Sequence, residues 1–125
     1  MKSKKIKVVM LECGKVARCE EINNSLESMQ KIVGGLIEAV YPFEDEVCII
    51  CNDEGKLQGL PFNRALYDDK GNIYDIISGT AFICGCKNEY FSSLTEEQIN
   101  HYCKKFEFPE RFALINGQLR SFPVL

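Results

Sequence analysis

The segment that most constrains the fold is a short apolar run in the middle of the chain, Val47-Cys48-Ile49-Ile50-Cys51. Pro42 precedes it and Asp53-Glu54-Gly55 follows it, and residues of these types end strands. The run is β-branched and too short for most helices, so it predicts a buried strand from Glu46 to Asn52. We expect this strand to lie at the centre of a sheet.

Turn residues divide most of the remaining chain into further short strands. The expected strands and turns are a hairpin of Lys5–Glu12 and Lys15–Ile22 around Cys13-Gly14, strands at Leu36–Tyr41 and Gly79–Cys86, a polar turn at Asp68–Asn72, and a hairpin around Asn116-Gly117. Pro61 fixes extended geometry at Leu60, and we expect a single helical turn at Asn63–Leu66.

Two segments carry the signals of helices. The first runs from about Leu26 to Val33, is capped by Asn24 or Ser25, and ends at Gly34-Gly35. The second follows Thr95, which forms a capping box with Gln98. The residues expected on the buried face of the second helix are Ile99, Tyr102, Cys103 and Phe106.

These elements predict an α+β fold: a mainly antiparallel sheet with two helices packed on it. The length of 125 residues predicts a single domain, residues 1–125. The opening order of hairpin, helix and strand also occurs in ubiquitin-like β-grasp folds, so the N-terminal half is expected to be β-grasp-like in this order.

Composition excludes several classes of function. The net charge of −3 argues against general nucleic-acid binding, which needs a basic surface. No apolar stretch approaches the length of a membrane span, and Glu12 interrupts the short run Val8–Leu11, which is too short for a signal peptide. We therefore expect a cytoplasmic protein whose seven cysteines are reduced.

The cysteines and the single histidine predict no metal site and no cofactor. Cys48 and Cys51 lie three apart on a strand and should point to opposite faces, unlike a zinc half-site. Cys84 and Cys86 share a face and could form a thiol cluster with Cys51 or Cys103, although buried thiols are the simpler interpretation. His101 lies beside the stripe of the second helix, with no spacing that indicates a nucleophilic pair. No Gly-rich phosphate loop opens a helix.

The candidate ligand-binding residues are Asn63, Arg64, Tyr67 and Tyr74. Arginine offers a planar fork of donors for phosphates or carboxylates, asparagine offers a donor and an acceptor, and the tyrosines offer stacking surface. The alternative is structural: Asn63 caps the helical turn, and Arg64 pairs with Asp68 or Asp69.

Four segments together resemble one family. They are "SLESMQKIVGGLIEAV", "CNDEGKLQGLPFNRAL", "YDIISGTAFICG" and "FSSLTEEQI", and they look like the uncharacterised family named domain of unknown function 3846. The resemblance covers roughly Lys5–Phe106, with residues 107–125 as a C-terminal extension. It implies a genomic context of phages, plasmids and Firmicutes, and it implies no chemistry.

These observations leave three hypotheses. The leading one is a non-enzymatic, cytoplasmic accessory protein of a mobile element that binds a small anionic ligand, such as a nucleotide defence signal, or a host protein. The host protein would contact the aromatic tail Phe106–Phe122, through which the chain could also self-associate. The second is a small nucleotide-processing or thiol-dependent enzyme. The third is a structural subunit in which Leu60–Arg64 only shapes the fold.

Overall fold

The structure is a computed structural model that describes residues 4–88 and 90–125. Its two helices are α1 (Leu26–Val33) and α2 (Glu96–Lys105). Its strands are β1 (Lys5–Leu11), β2 (Arg18–Asn23), β3 (Ile37–Val40), β4 (Val47–Asn52), β5 (Phe62–Tyr67), β6 (Ile73–Ser78), β7 (Ala81–Lys87), β8 (Tyr90–Ser92), β9 (Glu110–Ile115) and β10 (Gln118–Pro123).

The central sheet has the order β2-β1-β7-β4-β3, and β8 adds to β7. All of its described pairings are antiparallel, which confirms the α+β class. β4 lies between β7 and β3, so the apolar run at 47–51 is inside the sheet as predicted. The β-grasp analogy extends only to the order of the first elements, because β3 pairs with β4 and not with the opening hairpin.

Both faces of the sheet are buried, and alternation along the strands separates them. In β4, Cys48 and Ile50 belong to one core, whereas Val47, Ile49 and Cys51 belong to the other. The two cysteines therefore point to opposite faces, as their spacing predicted. The structure is a three-layer arrangement with a β-sheet in the middle.

The two helices cover opposite faces of this sheet. Met29 and Val33 of α1 pack into the core that contains Cys48, and Ile99 and Tyr102 of α2 pack into the core that contains Cys51. The predicted caps are present. Ser25 caps α1, Gly34 ends it with a φ of 79°, and Thr95 forms the capping box with Gln98.

Two further hairpins, β5–β6 and β9–β10, form small sheets of their own. Leu66 and Ile77 of the β5–β6 hairpin complete the core beneath α2. The β9–β10 hairpin turns at Asn116-Gly117, as predicted, and both residues have positive φ. These hairpins build the candidate site described below.

Two local predictions were wrong. Asn63–Leu66 belongs to strand β5 and is not a helical turn, because its backbone pairs with β6. β2 begins at Arg18 rather than Lys15, because the preceding segment leaves the hairpin and Ala17 N–H donates to the carbonyl of Glu107 (2.9 Å).

We predict that Thr95→Ala lowers the free energy of unfolding by about 1 kcal/mol, because the helix loses its N-cap acceptor. In the folded chain the Thr95 hydroxyl accepts from Gln98 N–H (3.1 Å), and the Gln98 side chain accepts from Thr95 N–H (2.9 Å). Urea unfolding followed by circular dichroism measures the change. Thr95→Ser is the control and should keep wild-type stability, since it keeps the hydroxyl. Equal stability of Thr95→Ala and wild type would contradict the prediction.

Candidate functional site

Asn63 lies in the interior, where it joins β5 to two other parts of the chain. Its side-chain nitrogen donates to the carbonyls of Leu11 and Gly79, both at 2.9 Å. Its side-chain oxygen accepts from Nη1 of Arg64 at 2.8 Å. Both N–H groups and the oxygen of this amide therefore have partners within the protein.

Arg64 is completely buried, with 0% of its surface exposed. Its Nε donates to the carbonyl of Phe106 (3.1 Å), and its Nη2 donates to the carbonyl of Lys15 (2.8 Å). The Glu110 carboxylate lies 4.0 Å from Nε. Burial lowers the pKa of Arg64 and Glu110 opposes this shift, and a guanidinium remains charged in proteins.

A β-bulge explains why two neighbouring side chains both point inward. Phe62 pairs with Ser78 and Arg64 pairs with Ile77, so Asn63 is an extra residue in β5. Such an insertion re-aims the side chains beside it. The pair therefore lies inside the protein, at 1% and 0% exposure. Arg64 contacts Glu110 and main-chain carbonyls rather than Asp68 or Asp69.

Tyr67 and Tyr74, in contrast, are half exposed, at 50% and 54%. They lie with Phe62 along a cleft of about 700 Å³ between the β5–β6 hairpin and the β9–β10 hairpin. Aromatic side chains at the wall of an open cleft offer faces on which a planar ligand can stack. The structure thus brings the two predicted tyrosines together and separates them from Asn63 and Arg64.

Two basic residues of the cleft were missed by the sequence analysis. Lys56 forms an ion pair with Asp75, so its charge is compensated. Arg120 on β10 donates to the side chain of Gln118 (2.9 Å), and among the described residues no carboxylate forms an ion pair with it. Of the two basic residues that line the cleft in the described part of the chain, Arg120 is therefore the one without an ion-pair partner. The sequence places Gln118 and Arg120 on one face of a predicted hairpin strand but carries no signal that this face lines a cleft.

Glu110 holds the β9–β10 hairpin in place as the second wall of the cleft. One carboxylate oxygen accepts from Ala65 N–H (3.0 Å) and from the Ser121 hydroxyl (2.6 Å). The rings of Phe62 and Phe112 also meet, with centroids 5.4 Å apart. The distance between the two walls therefore depends on contacts with β5.

The thiols lie apart from this cleft. Cys48 and Cys84 are fully buried with sulfurs 3.8 Å apart, and their contact raises the pKa of Cys48. Burial raises the pKa of Cys51 to about 11. A nucleophilic thiol needs a lowered pKa, so this environment does not favour one. His101 packs edge-on against Tyr102, and the described residues contain no group of three metal-ligating side chains.

We predict that Arg64→Ala lowers the free energy of unfolding by at least about 3 kcal/mol, because three buried acceptors lose their charged donor. Arg64→Lys should restore little of this loss, since an ammonium lacks the planar fork. Urea unfolding measures both variants. Arg111→Ala, at an exposed position on β9, is the matched control and should stay within about 0.5 kcal/mol of wild type. Wild-type stability of Arg64→Ala would contradict the structural role.

Among the described residues, no helix is long and apolar enough to cross a membrane.

Comparisons with known proteins place the chain in a family. Searches of curated proteins and of solved structures found no match. The family model described as Domain of unknown function (DUF3846) matches residues 6–107, which include both helices, the strands from β2 to β8 and all of β1 except Lys5. The chain therefore belongs to the DUF3846 family.

Proposed function

We propose that the chain is a non-enzymatic binding protein whose cleft takes a small anionic ligand with a planar ring, a nucleotide being the class that fits. The observation that carries this proposal is the combination of Phe62, Tyr67, Tyr74 and Arg120 around one cleft of about 700 Å³. A volume of this size is typical of sites for small molecules.

The two kinds of side chain would bind different parts of a nucleotide. Stacking on an aromatic ring accepts any base and contributes about 1–3 kcal/mol per base. The guanidinium of Arg120 would donate to phosphate oxygens, with a fork geometry that suits them. Arg64, which we expected in this role, is fully engaged inside the protein.

We propose binding rather than catalysis because the carboxylate that lines the cleft is already engaged in an ion pair. Asp75, the carboxylate among the described lining residues, is paired with Lys56. A general base must be within reach of a proton on its substrate and must have a suitable pKa. The ion pair instead gives Asp75 a structural partner.

The cellular setting is part of the same proposal. The family resemblance suggests an accessory protein of a mobile genetic element, and a nucleotide sponge would fit such a role. The proposal places the protein in the cytoplasm, where thiols such as those of Cys48 and Cys84, 3.8 Å apart, stay reduced.

We predict that at least one nucleotide of a panel of AMP, GMP, CMP, UMP and cyclic AMP raises the melting temperature of the wild-type protein, because a ligand bound only to the folded state stabilises it. Arg120→Gln should weaken binding roughly tenfold or more, since it removes a charge-assisted contact. Tyr74→Ala should weaken it to a similar extent through lost stacking. Calorimetric titration measures the dissociation constants.

Arg111→Gln is the matched control, because it removes an arginine from the same hairpin outside the cleft lining. It should bind like wild type. The proposal would be wrong if no nucleotide shifted the melting temperature, or if Arg120→Gln and wild type bound equally tightly.

A second candidate function is protein contact through the β9–β10 hairpin. Leu114 is 74% exposed there, and Ile115 and Phe122 are also exposed. Of the aromatic tail that we expected to form this surface, Phe106 instead lies in the core. Exposed apolar residues on a two-stranded hairpin favour association with another chain.

If this partner is a second copy, light scattering should give the mass of a dimer at high protein concentration. Leu114→Lys should restore the monomer, because it places a charge in the apolar contact. Leu36→Lys, an equally drastic change at an exposed leucine outside the hairpin, should leave the dimer intact. A wild-type protein that is monomeric throughout would rule out self-association.

A further inference from the structure

A second, much smaller pocket adjoins the cleft. Its volume is about 90 Å³, and it shares Lys56, Asp75 and Ile76 with the cleft. The Lys56–Asp75 ion pair therefore lies where the two spaces meet. A water takes up about 30 Å³ of liquid volume, so the pocket has room for a small polar group.

Ser78 lines this pocket, and its hydroxyl is buried without a hydrogen-bond partner among the described residues. The residue is 5% exposed. A buried polar atom without a partner is unfavourable and calls for a physical reason. The Asn52 amide, which also lines the pocket, has other partners: its nitrogen donates to Val33 O and Gln58 Oε1, and its oxygen accepts from Glu54 N–H.

The charges around the pocket select the kind of group that can enter. Glu38, Asp53 and Glu54 line it, whereas its lysine, Lys56, is already paired with Asp75. Carboxylates repel anions and attract hydrogen-bond donors. The pocket is thus acidic, while Arg120 makes the cleft basic, and a ligand that spans both must carry an anion and a donor group.

We infer that the Ser78 pocket receives the exocyclic amino group of a base, so that the cleft selects nucleotides of adenine, guanine or cytosine. This inference rests on the proposed nucleotide-binding function. In this arrangement the amino group would donate to Ser78 Oγ, which is shielded from solvent and would have to change its χ1 rotamer to face the pocket. The phosphate stays at Arg120, away from the acidic residues, and the ring stacks on the tyrosines between them.

Matched pairs of nucleotides test the inference by calorimetric titration. GMP and IMP differ by the exocyclic amine alone, whereas AMP and IMP, like CMP and UMP, exchange an amine for a keto oxygen. The wild-type protein should bind at least one amino nucleotide roughly fivefold or more tightly than its partner. Ser78→Ala should remove this difference, because it removes the acceptor. Its melting temperature without ligand should equal or exceed that of wild type, since an unpartnered hydroxyl is lost.

Ser28→Ala is the control, a serine change on α1 that should preserve both affinity and selectivity. The inference would be overturned if wild type bound both members of every pair equally tightly. It would also be overturned if the preference for the amino nucleotide persisted in Ser78→Ala. In either case the proposed function would survive if binding still depended on Arg120. Failure of every nucleotide to bind would overturn both.

Discussion

The buried guanidinium of Arg64 is the interaction on which the rest of this structure depends. It joins the carbonyls of Lys15 and Phe106, so the loop after β1 and the end of α2 are held against β5. Burying a charge is costly unless it is paired and hydrogen-bonded, and this one is satisfied from several directions. Asn63 extends the network to Leu11 and Gly79. Segments far apart in sequence thus meet at a single residue.

The same network shapes the cleft without contributing to its lining. The bulge at Asn63 turns two polar side chains inward and leaves Phe62 and Tyr67 exposed at the ends of β5. Glu110 lies close to Arg64 and bonds Ala65 and Ser121, so the second wall is tied to the same strand. Asn63 and Arg64 therefore position the residues that line the cleft, without lining it themselves.

Local chemistry made much of the fold predictable. The caps at Ser25 and Thr95 and the turn at Asn116-Gly117 are set by neighbouring residues, so sequence alone specifies them. The order β2-β1-β7-β4-β3 depends on pairing between distant strands, which no local pattern encodes. The inward direction of Arg64 was unpredictable for the same reason, because a bulge is a property of the paired strands. Arg120 was missed because the cleft arises only when two remote hairpins meet.

Part of the lining of the cleft lies inside the segment that the family model matches, and part lies outside it. The matched residues end at 107, so they include the β5–β6 hairpin but not β9 and β10. Tyr67 and Tyr74 belong to the first part, whereas Arg120 belongs to the second. A chain with only the matched part would keep the stacking wall and the Ser78 pocket but would lack Arg120. The cleft of this chain therefore combines a wall from the matched segment with Arg120 from outside it.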